Sequence, residues 1–421
     1  MKHVIGKQVI QLQLSTDREA AKLQHRFSQL YWQDLVPAMG DLFDELTGSE
    51  EVVEIDRLEI DIGMLPNVDF QKEWILPLLK QAIEKWFQQN KVKTSGIQRK
   101  PIQKSIFEKW LFFLENGYLP WSLQNLPKDW TARILESLAT HVQSIHDLSS
   151  LLKKNRHALK RLVLQHDSTF LQHVIETLTA QAQNGLAPFL ESLPSRQAKE
   201  NFWEFTLDKI VVKKNKWSSS TLVKKYQEQQ SYPPPAKPAS DQKEDQGATT
   251  DRIDKSGIFI QCAGIVMVHP FLQRFFNRID LLDGAEFKDH EAASRAIHLL
   301  NYLATHTTEP PEYDLSLLKF LCGVPLNTPV KKYIQLSAEE MEEADALLQA
   351  VVHHWGALGK VSNTSLQQAF LQREGKLLHE QSGWKLQMDK QTMDILLGQL
   401  PWGISVIKLP WMMDYLKVDW A

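Results

Sequence analysis

The feature that most limits what this chain can fold into is a break. Between Lys213 and Gly257 large apolar residues are sparse. Pro233, Pro234, Pro235 and Pro238 fall close together there, and a polar, charged run continues to Asp254. Such a segment cannot bury enough apolar surface to offset the entropy of ordering it. Its proline run favours an extended path. The 421 residues therefore read as four parts. A small strand–helix–strand module covers 1–90, and a helical middle region covers 91–212. A disordered, proline-rich linker covers 213–257, and a mixed helix and strand domain covers 258–421. The fold class expected is α+β, mostly helical.

Totals narrow the function classes. With 43% apolar and 24% charged residues, the composition is that of an ordinary globular chain able to bury a sizeable core. A net charge of −3, with no long basic block, argues against nucleic acid as a partner. The two cysteines, Cys262 and Cys322, lie far apart. They suggest neither a thiolate metal motif nor a disulfide framework. No stretch reaches signal-peptide or membrane-span character, so neither is expected.

Periodicity supplies the elements. Ile10 to Leu14 alternates apolar and polar, as a half-buried strand does. Ser15 or Thr16 can cap a following helix, whose apolar face is Leu23, Phe27, Leu30 and Tyr31. Leu58, Ile60 and Ile62 alternate with Glu59 and Asp61, which predicts a second strand. Trp74 to Phe87 predicts a helix that buries Leu78, Leu79, Ile83, Trp86 and Phe87. The middle region reads as several short helices, because Pro120, Pro127, Gly185, Pro188 and Pro194 interrupt a longer one. Leu151 to Val163 carries basic residues on one face.

Beyond the linker, the apolar run Ile258 to Val268 fits a buried strand or a buried helix start equally. Pro270 suits the first turn of a helix, and a second helix spans Asp289 to Leu303. Ser337 and Glu340 form a capping box, with Leu336 and Met341 placed to staple the entry. Leu347, Leu348, Val351 and Trp355 continue that helix's apolar face. A helix is expected over Asn363–Arg373 and a strand through Trp384, Leu386 and Met388. A short helix over Asp389–Leu400 and terminal strands over Gly403–Lys408 and Leu416–Trp420 follow.

Catalytic constellations are missing from the local pattern. His290-Glu291 starts like a zinc-protease helix, but Ser294 stands where the second histidine must fall. His353 and His354 are adjacent and so diverge on a helix, which makes them surface histidines. Glu59 and Asp61 share a strand face, where a solvated edge is the simpler reading than acid–base work. No phosphate-cradling glycine loop or nucleophile elbow occurs. No enzyme activity, cofactor, metal or small-molecule substrate is expected.

A series of phrases in the second half carries more information. Cys262-Ala263-Gly264-Ile265-Val266 is followed by His269-Pro270-Phe271-Leu272, Arg295 to Leu300, Pro311-Glu312-Tyr313, and Leu321-Cys322-Gly323-Val324-Pro325. Then come His354-Trp355, Phe370 to Gly375, Trp384, and Leu400 to Met412. In that order they resemble the tape measure protein family of contractile injection systems, which are phage-tail-like bacterial particles. Lys7-Gln8, Leu23-Gln24 and Ile55 to Gly63 are similar to that family as well. The resemblance covers about residues 1–90 and 258–421.

It implies a non-catalytic assembly protein that sets tube and sheath length. Implied partners are tube, sheath, cap or baseplate proteins, with no nucleic acid and no membrane. The implied place is the cytoplasm during assembly and then the assembled or released particle. A cargo-loading chaperone or adaptor is the alternative, with a cargo enzyme behind it. A rigid ruler should show a long heptad pattern, and none is seen here. Were Lys91 to Gly257 all helix, it would reach on the order of 250 Å; fully extended, on the order of 550 Å. Extension in the tube lumen, an assembly factor with globular ends, and a tube initiator all remain open.

Leu400-Pro401-Trp402 and Leu409-Pro410-Trp411 bracket a short apolar strand. Two proline stops, each sealed by a large ring, close a fold. The competing reading makes Trp402, Trp411 and the nearby Trp420 a partner-binding aromatic platform.

Overall fold

The structure is a computed structural model that describes residues 3–13, 20–48, 50–64, 71–90, 96–123, 126–213, 215–231 and 257–420. Its contacts divide the chain into two compact units, Met1–Phe107 and Glu108–Ala421.

The first unit holds α1 (Ala20–Leu30), which runs through a π-turn at Tyr31–Leu35 into α2 (Val36–Leu46). Strand β1 (Glu51–Ile55), helix α3 (Lys72–Gln89) and strand β2 (Ile97–Pro101) follow. A strand, a helix and a strand occur here as a small hairpin, but they are not those the alternation predicts: β1 and β2 flank α3 instead of the first helix, and β2 lies beyond residue 90. β1 pairs antiparallel with β2, with Val53 opposite Arg99. Residues 57–64 and 3–13 form no strand. Their alternation instead reflects burial against helices. Ile60 packs on the cluster of Met39, Leu42, Ile83 and Phe87. Leu12 and Ile62 pack on Phe27, Leu30, Leu35 and Ile75. Alternation reports one covered face, and a helical layer covers it as well as a sheet does. Leu14 and the expected caps Ser15 and Thr16 lie outside the described residues.

The second unit begins within α4 (Ile102–Asn116). Short helices follow: α5 (Trp130–Thr140), α6 (Val142–Lys154), α7 (Arg156–Gln165), α8 (Ser168–Thr179), α9 (Leu186–Ser192) and α10 (Arg196–Leu207). Asn155, Asp167 and Ser195 cap α7, α8 and α10 by accepting backbone N–H bonds, which fixes where each begins. Gly185 and Pro194 separate elements as expected. Pro188 instead sits in the first turn of α9, where its missing N–H costs nothing. A second π-turn, Asp208–Val212, extends α10. Inside the stretch read as linker, Ser219–Ser231 forms α11. Leu222 and Tyr226 are one turn apart and both buried, which is enough apolar surface to hold one short helix. Residues 232–256 lie outside the described set.

The C-terminal region opens with β3 (Ile258–Ile260) and a buried 3₁₀ turn over Ala263–Val268. The apolar run that fitted strand or helix thus supplies both. Helix α12 (His269–Arg278), the small hairpin β4 (Leu282–Asp283) and β5 (Glu286–Phe287), and α13 (His290–Thr305) follow. Next come α14 (Ser316–Leu321), α15 (Ala338–His354) and α16 (Asn363–Leu366), the last continuing into a π-turn to Leu371. The Ser337–Glu340 capping box is complete in both directions. Strands β6 (Gly375–Glu380), β7 (Gly383–Met388), β8 (Val406–Ile407) and β9 (Leu416–Trp420) join β3 in one sheet of order β3-β6-β7-β9-β8. Only the β7–β9 pairing is parallel, with Trp384 opposite Leu416 and Met388 opposite Trp420. The stretch 392–399 is a 3₁₀ helix.

Candidate functional site

The three tryptophans singled out by sequence occupy the closure of the C-terminal sheet. Trp402 is half-buried; its indole N–H donates to the Met267 carbonyl at 2.9 Å, and its ring meets Phe271 edge-on at 5.1 Å. Trp411 is also half-buried. It donates to the Leu321 carbonyl at 2.8 Å and contacts the rings of Phe276 and Phe287. Its backbone carbonyl runs so close to Gly323 that a Cβ there would lie 2.4 Å away, and Gly323 has φ +67°. Only glycine fits that approach.

Trp420 ends β9 and is buried, with the Arg373 guanidinium 5.5 Å from its ring centre. Arg373 holds Asp394 with two hydrogen bonds, at 2.6 and 2.9 Å. Burial opposes the Asp394 charge, but Arg373 and the Gln391 amide outweigh it and hold its carboxyl below the usual range. The prolines act as stops, and each ring seals part of the core. The copy at Leu119-Pro120-Trp121 lies in a turn region with no strand beside it.

A second site was not legible. It is a seam between the helical region, 108–231, and the C-terminal region. Among the described residues, the C-terminal core takes Tyr118, with Phe112 at its margin, from the helical region. Beside these rings, a buried polar cluster joins the two. Arg161 on α7, Glu312 in the 3₁₀ turn that leads into α14, and Lys319 on α14 itself are all fully buried. Arg161 Nε donates to Glu312 Oε1 at 2.9 Å and its Nη2 to the Asn327 carbonyl at 2.6 Å. A further N–H of Arg161 bonds the Leu114 carbonyl. Lys319 Nζ donates to the same Glu312 oxygen at 2.5 Å and to the carbonyls of Leu326 and Thr328 at 3.0 and 2.8 Å. Gln165 accepts from the Glu312 amide at 3.0 Å and donates to the Val330 carbonyl at 2.7 Å.

Gly117, at φ +85°, lets the chain pass this cluster. A Cβ there would meet the Leu326 carbonyl at 2.6 Å and Arg161 Nη2 at 2.8 Å. Burial, helped by Arg161 and opposed by Glu312, lowers the Lys319 ammonium to about 8. It therefore stays mostly charged at neutral pH. Next to the cluster, burial raises Asp314 to about 7.

The sequence signal for this seam was thin. Arg161 sits among Leu159, Leu162 and Val163, in the stretch read as carrying basic residues on one face. Lys153, Lys154, Arg156 and Lys160 are exposed, whereas Arg161 is buried. Two aromatic residues were also missed as surface features. Trp32 on the first π-turn is 67% exposed and Trp74 on α3 is 61% exposed. Both fall off the apolar stripes of their helices. His353 and His354 lie at the surface, and Glu59 and Asp61 point to solvent. Among the described residues, no group of three His, Cys, Asp or Glu is placed to hold a metal ion, and no helix is long and apolar enough to cross a membrane.

The family model for contractile injection system tape measure proteins matches residues 2–251 and 218–420. The chain belongs to that family. It is a non-catalytic structural protein of a contractile injection system particle, and it sets tube length. No curated protein and no solved structure matches it.

Proposed function

We propose that this tape measure protein sets tube length as a folded assembly factor, and that its globular parts hold components of the growing particle. The observation that carries this reading is the absence, among the described residues, of any rod. The longest unbroken helical run, Ala20 through Leu46, spans only about 40 Å at 1.5 Å per residue. The middle region folds back on itself in short capped helices instead of extending. Its caps and breaks stop each helix within about five turns.

The division into 1–90, 91–212, 213–257 and 258–421 belongs to the same proposal, with the first and last parts as gripping modules. Tube, sheath, cap or baseplate proteins are the partners proposed. The exposed Trp32 and Trp74 support a contact face on the first unit, because tryptophan dominates protein–protein hot spots. In the C-terminal region the outer edges of Trp402 and Trp411, with exposed Val406 and Met413 in the same segment, support a second. Trp420 takes part by holding β9 in place.

The experiment is capture of tagged chain from assembling cells. Recovery of tube or baseplate protein supports the assembly reading. Recovery of cargo without either would transfer support to a loading chaperone or adaptor.

A further inference from the structure

The seam has an unusual composition for a permanent junction. The extensive packings between elements all lie within one region or the other. In the helical region α7 packs on α6 and α10, and α5 on α8; in the C-terminal region α13 packs on α15, and β7 on β6 and β9. Each region has its own apolar core, and between them lie three fully buried charges that sum to +1. Glu312 serves both cations through Oε1, while its Oε2 is buried with no protein partner. A junction built of apolar groups loses its whole contact energy when it opens. Buried ions instead regain hydration when they are parted, so charge at a junction lowers the net cost of opening. Two cations on one anion lower it further, because the excess charge is relieved in water.

We propose that this seam is a latch: the helical and C-terminal regions part and re-dock as folded bodies, and the Arg161–Glu312–Lys319 cluster is the bolt. The chain between them keeps the two joined when the bolt is drawn. Opening uncovers Phe113, whose ring meets Tyr313 edge-on at 5.5 Å across the seam, together with Phe112 and Tyr118. Gln165 and the Glu312 amide mark the closed state, because that amide's acceptor lies on the opposite body. The inference goes beyond the folded-factor reading and does not depend on which partner the chain holds.

Hydrogen exchange on the full-length protein tests it. The latch predicts that the Glu312 amide exchanges at least tenfold faster than amides in the cores of α13 and α10, through an opening that leaves both cores protected. Exchange of all three at one common rate would overturn it. A triple variant, Arg161→Met, Glu312→Leu and Lys319→Met, replaces the bolt with apolar groups. It should slow Glu312-site exchange at least tenfold and leave core exchange rates in place. Unchanged seam exchange in a folded triple variant would also overturn the latch. If the triple variant fails to fold, Glu312→Ala serves, because it leaves two buried cations unpaired: two separate thermal transitions support the latch, and one shared transition sinks it.

Discussion

Glu312 answers two cations with one oxygen, and the balance at that atom makes the residue-scale predictions sharp. Arg161→Ala removes one partner from a fully buried set and should cost about 3–5 kcal/mol, read as a loss of denaturant midpoint. Gly117→Ala adds a methyl against the Leu326 carbonyl at a backbone angle that side chains avoid. It should cost about 2 kcal/mol by the same measurement. Asp314 offers a pH test. Its folded-state value, raised by burial to about 7 from 3.8, means that the folded form keeps the proton longer than the unfolded one. Its effect on stability is therefore best below about pH 4 and worsens as pH rises to about 7. Asp314→Asn should match the parent at pH 4 and exceed it at pH 8 by on the order of 2 kcal/mol, read from chemical denaturation at both values. Equal stability at pH 8 would mean that the carboxyl is well solvated.

At the scale of elements, local rules located helices better than strands. Ser337 and Glu340 announced α15, and its predicted face of Leu347, Leu348, Val351 and Trp355 is buried. Ser337→Ala should cost about 1 kcal/mol, seen as a lower melting temperature. Strand β7 was legible because Trp384, Leu386 and Met388 alternate and all three are buried. Residues 57–62 alternate just as cleanly and form no strand, because pattern records burial and says nothing of whether a ladder partner exists. The opposite failure is β1, where Val52 and Val53 are adjacent and no alternation announces the pairing with β2. The closure at Leu400 to Met412 was legible as two stops around a strand. The carbonyls that hold its indoles, Met267 and Leu321, lie 135 and 90 residues away. No local pattern reaches that far. Arg161 was missed for the same reason, since Glu312 is 151 residues distant.

At the scale of the whole molecule, the described residues form short helices and a small mixed sheet, with no helical run longer than Ala20–Leu46 among them. On the reading proposed above, such a tape measure sets length through what its folded parts hold, and the proline-rich stretch of the sequence between them does no measuring. The most direct test is the length distribution of particles assembled with chains shortened within Pro233–Asp254, measured by electron microscopy. The account predicts tubes of the parental length with each deletion. Tubes that shorten in proportion to the residues removed would contradict it and make that segment the ruler.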